Sequence, residues 1–126
     1  MTRALVTGAG QRLGQAMAVA LAQRGHDVAV HYATSEGGAA ETVGAIEAYG
    51  QKGVVVQADL LDEAQTTELF AQSVAALGGP ITCLINNASI FEDDSLQTST
   101  REGWDRHMES NLRAPYVLTQ LMAQQG

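Results

Sequence analysis

The residues of this chain best suited to chemistry are glycines, amides and hydroxyls rather than paired acids and bases. Thr7-Gly8-Ala9-Gly10-Gln11-Arg12-Leu13-Gly14 lies between a short apolar run and a segment of helical spacing. At such a strand-to-helix turn, backbone N–H groups and the positive end of the helix hold a pyrophosphate. The glycines at 8, 10 and 14 do not spell G-x-G-x-x-G, so position in the chain carries more weight than the motif. A dinucleotide-binding unit specific for NAD has an Asp or Glu about 20 residues further on, at the carboxyl end of the second strand, to accept the ribose 2′-OH. That place falls at His31 or Tyr32, and Asp27 lies at the wrong end of the strand. A 2′-phosphate would instead meet the guanidinium of Arg12 and the hydroxyls of Thr34 and Ser35, which favours NADP.

A second group, Asn86-Asn87-Ala88-Ser89, ends the fourth apolar run, where open α/β sheets bind ligands. Its amides can satisfy loop backbone or touch a ribose. Phe91 follows closely and offers either a stacking face for a flat heterocycle or a local packing anchor. Asp59-Leu60 follow the third run, where a carboxylate also suits a helix entry. Glu92-Asp93-Asp94 reads as a solvated charge run. Lys52 is the only lysine of the chain.

The elements that must position these residues alternate. Apolar runs at Arg3 to Thr7, Asp27 to Tyr32, Gly53 to Gln57 and Thr82 to Asn86 read as parallel strands covered on both faces. Helices are expected at Arg12 to Arg24, with Leu13, Met17, Ala20 and Leu21 inward, at Glu36 to Tyr49, and at Asp62 to Leu77, with Leu69, Phe70, Val74 and Leu77 inward. A short helix near Thr100 to Arg106 and a final one through Val117, Leu118, Leu121 and Met122 follow. The expected fold is α/β, a partial Rossmann-type parallel sheet of about four strands in the order 3-2-1-4, flanked by helices. No repeat or linker divides residues 1–126, so one domain is expected. No fifth strand follows the final helix, and the chain reads as truncated. The fourth strand would then be an open edge, with Ile81, Leu84, Ile85, Val117, Leu118, Leu121 and Met122 as an apolar surface that favours a homo-oligomer.

Composition narrows the partners. With 126 residues, 45% hydrophobic, 17% charged and a formal charge of −7, the chain has the make-up of a globular domain and lacks the clustered cations that nucleic acid demands. No run of about 18 apolar residues exists, so no membrane span is expected, and the amino terminus is too short in apolar residues for a signal peptide, which makes the cytoplasm the default location. Cys83 reads as a buried structural thiol. His26, His31 and His107 have no ligand spacing, so no metal is expected.

Taken together, the glycine loop, Asp59-Leu60, Asn86-Asn87-Ala88-Ser89 and Asn111-Leu112-Arg113-Ala114-Pro115 resemble the short-chain dehydrogenase/reductase family, whose loop reads T-G-x-x-x-G-x-G. Arg12 stands in place of its second glycine, and the Arg-Leu-Gly triplet is similar to the pteridine reductase branch. The resemblance implies an NADP-dependent oxidoreductase acting on a small carbonyl or pterin substrate. It implies a nicotinamide dinucleotide held by Gly8, Gln11, Arg12, Leu13, Gly14, His31, Tyr32, Thr34, Ser35, Asp59, Leu60, Asn87, Ala88 and Ser89. Substrate would meet Arg12, Ser89 and Phe91, with Phe91 stacked on the pteridine. Asn111 resembles the asparagine of the catalytic tetrad, which bends its helix and holds a water in a proton relay. The family's Tyr-x-x-x-Lys is not found, because Tyr32, Tyr49 and Tyr116 are followed four residues on by Glu36, Gly53 and Gln120. The chain thus reads as the cofactor half of such a reductase, with a noncatalytic nucleotide-binding or self-associating module as the alternative. In the family, the helix after Asn111 also contributes to the main subunit interface.

Overall fold

The computed structural model describes residues 2–125. Four strands, β1 (Thr2–Val6), β2 (His26–Tyr32), β3 (Gly53–Gln57) and β4 (Cys83–Ile85), form one parallel sheet in the order β3-β2-β1-β4. Helices α1 (Arg12–Gln23), α2 (Glu36–Ala48) and α3 (Glu63–Leu77) make the crossovers that parallel strands require. A last helical run comprises α4 (Arg101–Met108), a π-helical turn (Glu109–Arg113) and α5 (Ala114–Ala123). The two short helices expected there are one continuous run.

Alternation along β1 divides the core. Leu5 faces a cluster with Ala29, Leu69, Phe70, Leu77, Ile81 and Leu118 under α3 and α5, while Ala4 and Val6 face Ala18, Ala22, Val28, Val30 and Ile46 under α1 and α2. Asp62 caps α3 by accepting the Ala64 N–H at 3.0 Å, and Gly78 ends that helix in the left-handed conformation at φ 81°. Asp27 stays structural, as its position suggested, with Oδ1 accepting the Lys52 N–H at 2.9 Å.

Three expectations need correction. The buried face of α1 is Gly14, Ala18 and Ala22, whereas Leu13 is 65% exposed and Ala20 is also exposed. Small residues let this helix approach the sheet and α2 closely, so the larger residues flank the contact. In β3, Val54 and Val56 pack under α3, but Val55 turns to the other face at the margin of the sheet and is 48% exposed. The apolar surface foreseen at the β4 edge is partly covered by the chain itself: Ile81, Val117 and Leu118 are buried, and Leu84, Ile85, Leu121 and Met122 are half-buried. The Gln125 carboxamide pairs with the backbone of Ile81, accepting its N–H at 2.8 Å and donating to its carbonyl at 2.9 Å. Exposed apolar side chains lie instead along another face of the last helical run, at Trp104, Met108, Leu112 and Tyr116.

Helix α2 touches the glycine loop directly. The Thr42 hydroxyl lies 2.9 Å from the Ala9 carbonyl oxygen, and a Cβ on Gly38 would overlap the carbonyl oxygen of Gly10. Gly44, in the same helix, faces open space. Gly44→Ala should therefore stabilise the fold by about 0.5–1 kcal/mol through helix propensity. Gly38→Ala should destabilise it by about 1–3 kcal/mol through overpacking. Urea unfolding of the two variants checks the opposite signs, and a stabilised Gly38→Ala would rule out the close contact.

Candidate functional site

The site is assembled where β1, α1 and the stretch after β4 converge. Thr7 is buried at the end of β1, and its hydroxyl oxygen accepts the N–H groups of Asn87 at 3.0 Å and Ala88 at 2.9 Å. Asn87 returns the contact through Nδ2, which donates to the carbonyls of Thr7 and Gly8, each at 3.2 Å. Gly8 has φ 62°, in the left-handed region, and a Cβ there would crowd Ala88. At Gly14 a Cβ would overlap the Gly8 carbonyl oxygen. Glycine at 8 and 14 is therefore a steric requirement, and it brings the first turn of α1 against the loop.

The backbone donors then divide into two sets. The Gly8 and Ala9 N–H groups are used inward, on His31 Nδ1 and the His31 carbonyl, both at 2.9 Å. The first bond within α1 runs from the Gln15 N–H to the Gln11 carbonyl at 3.3 Å, so the N–H groups of Arg12, Leu13 and Gly14 have no partner inside the helix. Those groups border an open cleft of about 380 Å³. Tyr32, Thr34 and Ser35 form another wall of it, Asn87, Ala88 and Ser89 a third, and no carboxylate lines it. Ser35 is the N-cap residue of α2, so a second helix amino terminus opens on the same space.

Arg12 is the sole non-glycine residue with positive φ among the described residues, at 54°. This conformation costs a side-chain-bearing residue roughly 1–2 kcal/mol. Arg12 is exposed and borders the cleft. Gln11 reaches across to donate to the Ser35 hydroxyl at 3.3 Å. Leu13 and Gly14 contribute mainly backbone.

His31 does not extend into the cleft as a free polar group. Its ring is 1% exposed, with Nδ1 accepting from Gly8 and Nε2–H donating to the Ala58 carbonyl at 2.9 Å. That bonding pattern needs the neutral ring, and burial lowers its pKa below the ordinary 6.5 despite the opposing bond to Ala58. The ring thus supports the glycine loop from beneath.

A smaller cleft of about 200 Å³ adjoins His31 and is bordered by Asp59, Leu60, Ala88, Ile90 and Ser110. Asp59 Oδ1 accepts the Leu61 N–H at 3.0 Å, and the capping of α3 falls to Asp62 rather than to Asp59. Phe91 is 86% exposed, so it is no packing anchor. Asn111 sits in the π-helical turn, accepting the Ile90 N–H through Oδ1 and donating to the Ile90 carbonyl through Nδ2, both at 2.9 Å. Its side chain is thereby committed to the loop after β4. Sequence reasoning overlooked Gly38 and Thr42, for which the available signal was a glycine pair inside a helix with no turn to explain it. It also overlooked the contacts that Arg106 and His107 make with Glu92.

The family profile described as short chain dehydrogenase matches residues 2–125, and the chain belongs to that family. An L-rhamnose 1-dehydrogenase (NAD(P)(+)) from a Sphingomonas species is 36% identical over 121 residues, covering 96% of this chain and 47% of the relative. A short-chain dehydrogenase from Burkholderia cenocepacia, solved in complex with NADP, is 36% identical with a TM-score of 0.93, covering 98% of this chain and 50% of that one. FolM alternative dihydrofolate reductase 1 from Brucella suis, also in complex with NADP, is 34% identical with a TM-score of 0.91, over 98% and 51%. The chain spans about half the length of the relatives it matches. Among the described residues no helix is long and apolar enough to cross a membrane, and no three His, Cys, Asp or Glu side chains group as metal ligands.

The neutral, buried His31 gives a test in pH. The unfolded chain takes up this proton more readily than the folded one, so the stability it contributes is complete above about pH 6.5 and declines as pH falls toward the lower folded value. The urea midpoint should drop between pH 7.5 and 5.5, and His31→Gln should lose that component. A midpoint equally pH-dependent in both proteins would contradict the assignment.

Proposed function

We propose that these residues form the cofactor-binding half of an NADP-dependent oxidoreductase that reduces a small carbonyl or pterin compound. The observation that carries the cofactor choice is a cleft bordered by Arg12, Thr34 and Ser35 with no carboxylate at the end of β2. In this reading the unpaired N–H groups of Arg12, Leu13 and Gly14 hold the pyrophosphate, at a turn whose close packing the bare backbone of Gly8 and Gly14 permits. Arg12 and the hydroxyls of Thr34 and Ser35 meet the 2′-phosphate. Gln11, His31 and Tyr32 shape the floor and wall of that end. Asp59 and Leu60 border the place for the adenine, and Asn87, Ala88 and Ser89 the ribose and nicotinamide. NADPH, when bound, supplies a hydride. The task left to the chain is to orient the acceptor beside Ser89 and Phe91, and Asn111 anchors the backbone there.

A pterin as substrate is supported by the exposed Phe91, by Arg12 at the loop, and by the likeness to a protein described as an alternative dihydrofolate reductase. Residues 1–126 act as one domain in this reading, and the Tyr-x-x-x-Lys expected of the family has no counterpart among them.

Calorimetry with NADP and NAD tests the cofactor choice, and NADP should bind the tighter of the two. Arg12→Ala and Arg12→Gly should each weaken NADP by about 1–3 kcal/mol and leave NAD nearly unchanged. Arg12→Gly should at the same time raise stability over Arg12→Ala by about 1 kcal/mol, because glycine accepts the left-handed backbone. Equal affinities for the two dinucleotides would sink the proposal.

Self-association is the second reading, as a noncatalytic module or as part of the reductase. It is favoured by the exposed Trp104, Met108, Leu112 and Tyr116 along the last helical run. Light scattering at micromolar concentration should report an oligomer, and Leu112→Glu should dissociate it. A monomer would overturn this reading.

A further inference from the structure

Residues 86–95 carry no regular secondary structure, and Phe91 lies in the middle of them with its ring almost wholly in solvent. Burial therefore does not hold Phe91, yet the backbone is held on both sides of it. Ile90 gives both its N–H and its carbonyl to the Asn111 carboxamide. The Glu92 N–H donates to His107 Nε2 at 3.0 Å. The Glu92 carboxylate receives a two-pronged contact from Arg106, Nε to Oε1 at 2.9 Å and Nη2 to Oε2 at 3.0 Å.

His107 is itself oriented. Its Nδ1 lies 2.7 Å from the Gly103 carbonyl oxygen one turn earlier, so Nδ1 carries the proton and Nε2 is the acceptor. The spacing also fits. Four helical residues from 107 to 111 advance about 6 Å, and two residues of extended chain advance about 6.7 Å. A helix can thus place one clamp on residue 90 and another on residue 92.

We propose that His107, supported by Arg106, is a positioning residue that presets Phe91 as a platform for a planar heterocyclic substrate. The proposal rests on the reading of this loop as the substrate side of a nicotinamide site. An exposed aromatic ring on an unrestrained loop would lose conformational freedom each time a ligand stacked on it. Ordering the backbone beforehand removes that cost from binding. The Arg106 contact alone, between half-exposed groups, would be a weak restraint, whereas the His107 bond acts on the backbone next to the ring.

The test uses nitrogen-15 relaxation on the chain and two variants of similar bulk. In His107→Gln the side-chain oxygen can still accept the Glu92 N–H, and in His107→Leu nothing can. Backbone order parameters at Phe91 and Glu92 should be near 0.85 in the wild type and in His107→Gln, and below about 0.6 in His107→Leu, with Phe70 in α3 unchanged. With NADP present and dihydrobiopterin as the probe, His107→Leu should weaken pterin binding about tenfold, the worth of one hydrogen bond, while NADP affinity stays the same. His107→Gln should restore most of the loss.

A loop equally ordered in His107→Leu would overturn the proposal, as would equal pterin affinity in all three proteins. Loosening of the loop with no pterin binding even to the wild type would overturn the platform while leaving the NADP assignment standing. Should His107→Leu fail to fold, Glu92→Gln keeps the amide but breaks the ion pair. It should lower the order parameter at Phe91 below about 0.85 without reaching about 0.6, and no change there together with an unprotected Glu92 amide in hydrogen exchange of the wild type would overturn the strap.

Discussion

There is no room for a side chain where the first turn of α1 meets the carbonyl of Gly8, and most of the site follows from that contact. Gly14 closes the approach, and Asn87 spans the Thr7 and Gly8 carbonyls from the other side. Thr7 answers by accepting two N–H groups from the stretch after β4. Two segments distant in sequence, the turn at Thr7–Gly14 and the stretch after β4, are thereby held within hydrogen-bonding distance, and buried polar groups are paired as a low-dielectric interior demands. The amides at the start of α1 remain unpaired, and they border the cleft. A loop displaced by a methyl group at position 14 would lose that separation of inward and outward donors.

Support for the loop comes from two further directions. His31 fills the space beneath it with a neutral ring that both accepts and donates, and α2 presses on its outer side through Gly38 and Thr42. Within so constrained a turn, Arg12 adopts a backbone conformation that glycine would adopt more readily. Strain of this kind persists where surrounding contacts over-determine the chain, and it accords with a side chain retained there for what its end can reach.

Much of this is legible in the sequence, for identifiable reasons. Valine-rich runs of strand length separated by helical spacing point to the sheet and its order, and the loop at Thr7–Gly14 is conspicuous because glycines clustered at a strand-to-helix turn signal close backbone approach. The inward face of α1 is misread because hydrophobicity points to Leu13 and Met17, while close helix packing selects the small Gly14, Ala18 and Ala22. Val55 is misread because an edge strand can have the composition of a covered one. That both ring nitrogens of His31 are taken up beneath the loop, by Gly8 and Ala58, is set by partners 23 and 27 residues away and leaves no local sign in the sequence. The strap joining His107 to Glu92 depends on how a long loop folds back on a helix, which local pattern does not encode.

The most direct measurement is a crystal structure of the chain grown with NADP. The pyrophosphate is expected against the N–H groups of Leu13 and Gly14, with the 2′-phosphate within about 3 Å of the Arg12 guanidinium and the Ser35 hydroxyl. A dinucleotide whose pyrophosphate lies away from the start of α1, or whose 2′-phosphate points to solvent with Arg12 uninvolved, would contradict that arrangement.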